Sequence, residues 1–85
     1  MKTINLRKNP KQRIPDDFTG KVIYVRDNSF DYLQDGKLHR IGGPAQVLII
    51  MKNEIKKFYF INGKEVTKEA HDLLVDMIKL KGIKL

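Results

Sequence analysis

Residues 35–44 read Asp35-Gly36-Lys37-Leu38-His39-Arg40-Ile41-Gly42-Gly43-Pro44, and this stretch decides the fold. Asp35-Gly36 separates two apolar-rich runs. A two-residue type I′ loop needs positive φ at both central residues, so Asp-Gly in that setting is a strong hairpin signal. Gly42-Gly43-Pro44 then ends the return strand with a second turn. The same device recurs downstream as Asn62-Gly63. Aligned, the copies are Tyr32-Leu33-Gln34-Asp35-Gly36-Lys37 and Tyr59-Phe60-Ile61-Asn62-Gly63-Lys64. An aromatic-containing strand runs twice into a tight turn followed by lysine, which predicts an antiparallel meander built by hairpin duplication.

On the N-terminal side, Lys21 to Arg26 reads as a strand, because Val22, Ile23, Tyr24 and Val25 are all β-formers. Asp27-Asn28-Ser29 is a turn signal. Phe30 to Gln34 and Lys37 to Arg40 are the arms of the first hairpin. Ala45 to Met51 is a continuous apolar strand, Lys52-Asn53-Glu54 a turn, and Ile55 to Ile61 the antiparallel partner. After Asn62-Gly63 the apolar period changes from about 2 to about 3.6. Ala70, Leu73, Leu74, Met77, Ile78 and Lys81 make the stripe of an amphipathic helix over residues 67–81. Thr67 is a good N-cap, Glu69 suits the first turn, Lys79 and Lys81 the last, and Gly82 the C′ position. Ile83-Lys84-Leu85 reads as a short extended tail.

The expected class is therefore α+β. A twisted antiparallel β-meander of four to six strands (residues 21–63) is followed by one C-terminal amphipathic helix packed on the sheet, in a single domain over residues 21–85. Residues 1–20, broken by Pro10 and Pro15, read as a basic, partly extended N-terminal arm in which Ile4 and Leu6 could add a short edge strand. The expected core is Val22, Tyr24, Val47, Ile49, Phe58, Phe60, Leu73, Leu74, Met77 and Ile78, with the helix covering the face that carries Phe58 and Phe60.

Tyr32-x-x-Asp35-Gly36-Lys37-Leu38-His39-Arg40-x-x-Gly43-Pro44-Ala45 resembles the "nGklHRedGPA" repeat of many small phage and bacterial proteins of β-hairpin architecture. The likeness covers residues 32–45 once. The second copy keeps the strand, the turn and the lysine, and departs at Glu65. Where the repeat usually carries an acidic pair after His-Arg, this chain has Ile41-Gly42, so any charge role of that pair is lost. The resemblance implies hairpin architecture and a phage-type setting. It implies no single chemistry.

With 85 residues, one domain is expected, near the lower limit for a core without staples. Cysteine is absent, which excludes disulfides and thiolate metal sites and fits a reducing cytoplasm. No apolar run approaches the roughly 20 residues needed to span a membrane, and no apolar stretch follows Lys2 as a signal peptide would require. A cytoplasmic protein without membrane contact is expected. The net charge is +7, and it is unevenly placed. Residues 1–15 contain Lys2, Arg7, Lys8, Lys11 and Arg13 and no acid, whereas bases and acids nearly balance over the rest. Acid-free basic segments are drawn to nucleic acid or to acidic protein surfaces.

No catalytic set is visible, so an enzyme is not expected. His39 and His71 are the two histidines and Ser29 is the one serine. HExxH spacing, a glycine-rich phosphate loop and a nucleophile elbow are missing. Glu69, Asp72 and Asp76 read as a solvated helix face rather than a metal site, and no cofactor is implied. The cations carry the functional reading. Arg7, Lys8, Lys11 and Arg13 in the arm, with Lys37, His39, Arg40, Lys56 and Lys57 at the hairpins and Arg26 and Lys52 nearby, are the candidate RNA-binding residues. They would hold phosphates without reading bases. Tyr24, Phe30, Tyr32, Phe58, Tyr59 and Phe60 offer stacking surfaces, of which Phe58 and Phe60 are expected in the core and at most Tyr59 or Tyr24 is expected to be available to a ligand.

In size, charge and style the chain is similar to the small proteins that T-even coliphages use against host defence systems, including those that block the endoribonuclease of a type III toxin–antitoxin system. That likeness implies a non-enzymatic, antitoxin-like inhibitor that binds a host toxin nuclease together with RNA. Two other readings stand beside it. One is a general nucleic-acid-binding accessory protein. The other is a structural phage module in which a sheet edge or the Val47–Met51 strand makes a homo-oligomer.

Overall fold

A computed structural model describes residues 2–25, 29–51 and 54–82. The turn expected at Asp27-Asn28, the cations Arg26 and Lys52, the turn residue Asn53 and the tail Ile83-Lys84-Leu85 lie outside the described residues. The element order is β1 (Lys2–Asn5), β2 (Gly20–Ile23), β3 (Phe30–Gln34), β4 (Lys37–Leu38), β5 (Gln46–Met51), β6 (Glu54–Ile61), β7 (Lys64–Val66) and α1 (Lys68–Lys81). The strands form one sheet in the order β1-β2-β3-β5-β6-β7, with β4 paired to β3 off this path. The class is α+β, a mostly antiparallel sheet followed by a C-terminal helix.

Both hairpins form as their turn residues require. Asp35 and Gly36 have φ of 51° and 79°, and Asn62 and Gly63 have φ of 50° and 85°. Gln34 pairs with Lys37, and Ile61 pairs with Lys64, so each loop has two residues. Gly36 is required twice over, since a Cβ there would also overlap the Asp16 carbonyl oxygen. The second hairpin returns as β7, so a seventh strand precedes the helix where the change of period suggested that the helix follows directly.

The N-terminal segment supplies the short edge strand suggested around Ile4, but in the direction not expected. β1 pairs with β2 in parallel, with Ile4 beside Val22. The sheet is therefore mixed, not wholly antiparallel, and residues 2–5 are part of the body rather than a loose arm. A parallel pair needs a crossover of about a dozen residues or more, which residues 6–19 supply. The packing reason is apolar. Ile4, only 2% exposed, buries with Phe18 and Val22, and Leu6, Ile14, Tyr24 and Leu33 pack around them. Phe18 anchors the far end of the crossover on the same cluster.

The helix lies over the expected residues but is rotated. Thr67 accepts a hydrogen bond from the Ala70 N–H at 3.1 Å. Gly82, at φ 67°, sends its N–H to the Ile78 carbonyl at 2.8 Å. The inward face is His71, Leu74, Val75 and Ile78, with His71 2% exposed. Ala70 and Met77 are exposed, and Leu73 and Leu80 are 63% and 84% exposed. The helix also packs on the sheet face of Tyr59, not that of Phe58 and Phe60: the Tyr59 and His71 ring centroids are 4.8 Å apart. The reason is polar. His71 Nε2 lies 3.2 Å from both the Gly42 nitrogen and the Arg40 carbonyl oxygen, so according to its tautomer it accepts from the first or donates to the second, one at a time. Inside a fold, a histidine that satisfies backbone groups outranks a leucine that would leave them unpaired.

Of the expected core, Val22 and Val47 are buried. Tyr24, Ile49, Phe58, Phe60, Leu74 and Ile78 are half-buried, and Leu73 and Met77 are exposed. Ile4, Phe18, Ala45 and His71 are buried instead.

A candidate nucleic-acid interface

The conspicuous string around His39 and Arg40 is spent on holding the hairpins together. The Asn62 N–H donates to His39 Nδ1 at 2.9 Å, and the Gly63 N–H donates to the Leu38 carbonyl at 2.7 Å. The Arg40 N–H reaches the Phe60 carbonyl at 3.2 Å. The first hairpin's return strand is thereby tied to the second hairpin. His39 is buried, and burial pushes its pKa below the ordinary histidine value. Its ring is neutral at pH 7, as an acceptor at Nδ1 must be.

Arg40 is clamped. Its guanidinium carbon lies 4.0 Å from the Tyr32 ring centroid, and one of its terminal nitrogens donates to the Pro44 carbonyl at 3.2 Å. Gly43 lies against the guanidinium, where a Cβ would come within 2.8 Å of its carbon. Ala45, the next residue after Pro44, is fully buried. Tyr32, the Asp35-Gly36 turn, His39, Arg40, Gly43, Pro44 and Ala45 thus act as one structural clamp. His39 is buried and Arg40 half-buried, and both make structural contacts, with one guanidinium N–H of Arg40 given to the Pro44 carbonyl. Lys37 remains exposed, its stem beside Gly63.

The basic segment behaves differently. The Asn5 side chain accepts from the backbone N–H groups of Arg7 at 3.0 Å and Lys8 at 3.3 Å, turning the chain sharply after β1. The Asn9 N–H closes on the Asn5 carbonyl at 3.0 Å. At the other end Ile14 and Phe18 pack on the Ile4–Val22 cluster. Arg7, Lys8, Lys11 and Arg13 between these anchors are all exposed. Among the described residues, the one lysine or arginine with a carboxylate within 4 Å is Lys68, bonded to Asp72 at 2.8 Å. The loop is therefore a row of unneutralised cations fixed to the body at both ends. Its charge draws polyanions, and its anchoring reduces the ordering cost of binding them.

Register divides the hairpin cations. Lys57 pairs with Val47, and Lys56 pairs with Leu48, so these two lysines face opposite sides of the sheet. They do not form one cluster with Lys37. Tyr59 and Tyr24, the rings expected to be available, are both engaged: Tyr59 lies against His71, and the Tyr24 hydroxyl donates to Asp31 Oδ2 at 2.7 Å. Burial and the neighbouring carboxylate push the Tyr24 pKa well up. The rings that do meet cations are Phe30 and Tyr32. Their centroids are 5.7 Å apart, edge to face, and Lys21 Nζ lies 4.3 Å from the first and 5.6 Å from the second. The period-2 spacing of Phe30 and Tyr32 was the signal that could have placed them on one face.

Among the described residues, no three His, Cys, Asp or Glu side chains group as a metal site, and no helix is long and apolar enough to cross a membrane. On the helix, Asp72 is held below the usual carboxylate range by its bond to Lys68 and then by His71. No protein-family model, curated protein or solved structure matches the chain.

Proposed function

We propose that this protein is a small, basic, non-catalytic inhibitor that binds RNA and a protein target together, acting in the cytoplasm of a host cell. The target class follows from the resemblance to phage counter-defence proteins: a host toxin endoribonuclease, against which the chain acts as an antitoxin. The observation that carries the RNA half of this reading is the acid-free run of Arg7, Lys8, Lys11 and Arg13 within the anchored loop, exposed and unpaired with any described carboxylate. Such a loop contacts phosphates and gives salt-sensitive, largely sequence-independent binding. The protein half is supported by the outward apolar side chains of α1, Leu73, Met77 and Leu80, which no described element covers.

The test is affinity purification of the tagged chain from expressing cells, with protein and nucleic acid both identified, before and after nuclease treatment. The reading expects RNA and an endoribonuclease to co-purify, and both RNA recovery and inhibition to fall when Lys11 and Arg13 are replaced by glutamate. RNA without a protein target would leave the accessory nucleic-acid-binding reading. A stable homo-oligomer without polyanion affinity would leave the structural-module reading, with the α1 stripe as the self-contact.

A further inference from the structure

The two faces of the sheet differ in charge as well as in packing. Register places Lys21 beside Tyr32, Ile23 beside Phe30, Phe30 beside Val47 and Val47 beside Lys57, so all six side chains share one face. The strand carboxylates Asp31 and Glu65 fall on the reverse, with Val22 and Phe60 as their neighbours, and Glu54 shares that side with Lys56 by strand alternation. The face with Phe30 and Tyr32 therefore holds lysines and rings with no acid among its strand positions. α1 packs on β6, at Tyr59, and not over β3. Phe30 and Tyr32 are only half-buried there.

We propose that this face is a stacking site for unpaired bases of single-stranded RNA, with successive bases on Phe30 and Tyr32 and phosphates taken by Lys21 and Lys57. This rests on the RNA-binding reading above and names the form of RNA that the site accepts. Three observations carry it. The rings stand at i and i+2 of one strand, the arrangement that lets neighbouring bases be received on adjacent positions of a sheet. The face is complementary in charge to a phosphate chain. Lys21 already spans both rings, and its flexible stem lets the ammonium move to a phosphate when a base arrives. A cation–π contact at a half-exposed site is weaker than a stacked base, so the exchange favours the complex. Arg40, clamped on Tyr32 by Pro44 and Gly43, covers one face of that ring, so the base stacks on the opposite face. Duplex RNA keeps its bases stacked within the helix and offers none to the rings.

The experiment is fluorescence anisotropy with the whole chain, using a labelled single-stranded oligouridine and a labelled RNA duplex of matched length. Wild type, Phe30→Leu, Tyr32→Leu and Tyr32→Phe are compared, with thermal unfolding recorded for each. The proposal expects tighter binding of the single strand than of the duplex. Each leucine variant should weaken single-strand binding about tenfold and leave duplex binding unchanged. Tyr32→Phe, which keeps a ring, should bind as wild type. If the leucine variants lose their fold, quenching of tyrosine fluorescence in the wild type by the single strand but not by the duplex decides the matter. Equal affinity for both RNAs with no effect of ring loss, or equal quenching by both, overturns the stacking site while the loop's RNA binding stands. No binding to either RNA overturns both.

Discussion

Residues 32–45 and residues 6–17 both carry basic side chains, and they use them in opposite ways. In the first stretch Arg40 is held between Tyr32, Gly43 and the Pro44 carbonyl, and His39 accepts a backbone hydrogen bond from the second hairpin. In the second, Arg7, Lys8, Lys11 and Arg13 point to solvent from a loop whose backbone, not its charges, is fixed. The motif that stands out in the sequence makes contacts within the fold, and the plainer run stays exposed. In so small a protein with a thin core, a planar guanidinium that can stack and donate at once is useful as structure.

Substitutions put this contrast at risk, starting where the largest loss is expected. Ile4→Ala should cost about 2–5 kcal/mol in denaturant unfolding, as large-to-small changes in a core do. A loss below about 0.5 kcal/mol, the range of ordinary surface changes, would mean that the N-terminal segment is an arm after all. Gly36→Val should cost about 3 kcal/mol, because it combines a left-handed backbone with overlap onto the Asp16 carbonyl. An unchanged midpoint would remove the turn from the account.

Arg40→Ala and Arg13→Ala set the two regions against each other. The first should reduce stability by about 1–2 kcal/mol, through its ring stacking and its carbonyl bond. The second should stay within about 0.5 kcal/mol. Equal effects would erase the difference between the two regions. The smallest expected effect is on pH dependence. His39 has its pKa lowered by burial, so the unfolded chain takes up that proton first as pH falls. Its contribution is complete above the ordinary histidine pKa of about 6.5 and declines as pH falls below it. Thermal midpoints between pH 7.5 and pH 5 should fall less steeply in His39→Gln than in wild type, and parallel curves would show that His39 does not titrate differently on folding.

The hairpins and the helix were legible because their signals are local. Asp-Gly and Asn-Gly dictate positive φ, and Thr67 and Gly82 cap the helix whatever lies nearby. The parallel β1–β2 pair was not legible, since it depends on Phe18 and Ile14 meeting Ile4 and Val22 across a crossover. The rotation of α1 was hidden for a related reason. Counting apolar positions favours Leu73, whereas His71 is drawn inward by backbone groups at Arg40 and Gly42 that the helix's own sequence does not reveal. For the site, composition pointed to the basic loop. For His39 and Arg40 the sequence shows the charge but not the partners that the fold brings, the Asn62 N–H, the Tyr32 ring and the Pro44 carbonyl. Phe30, Tyr32 and Lys21 share a face that strand alternation and register determine together.

What distinguishes the loop cations from the clamped ones, on this account, is that they meet RNA phosphates. The decisive measurement is the dependence of the RNA dissociation constant on salt, for wild type and for a variant with Arg7, Lys8, Lys11 and Arg13 replaced by glutamine. The account predicts unchanged unfolding, weaker binding, and a log–log salt slope shallower by about 0.7 for each single-strand phosphate that the variant leaves unneutralised. A variant that keeps the wild-type affinity and slope would contradict it.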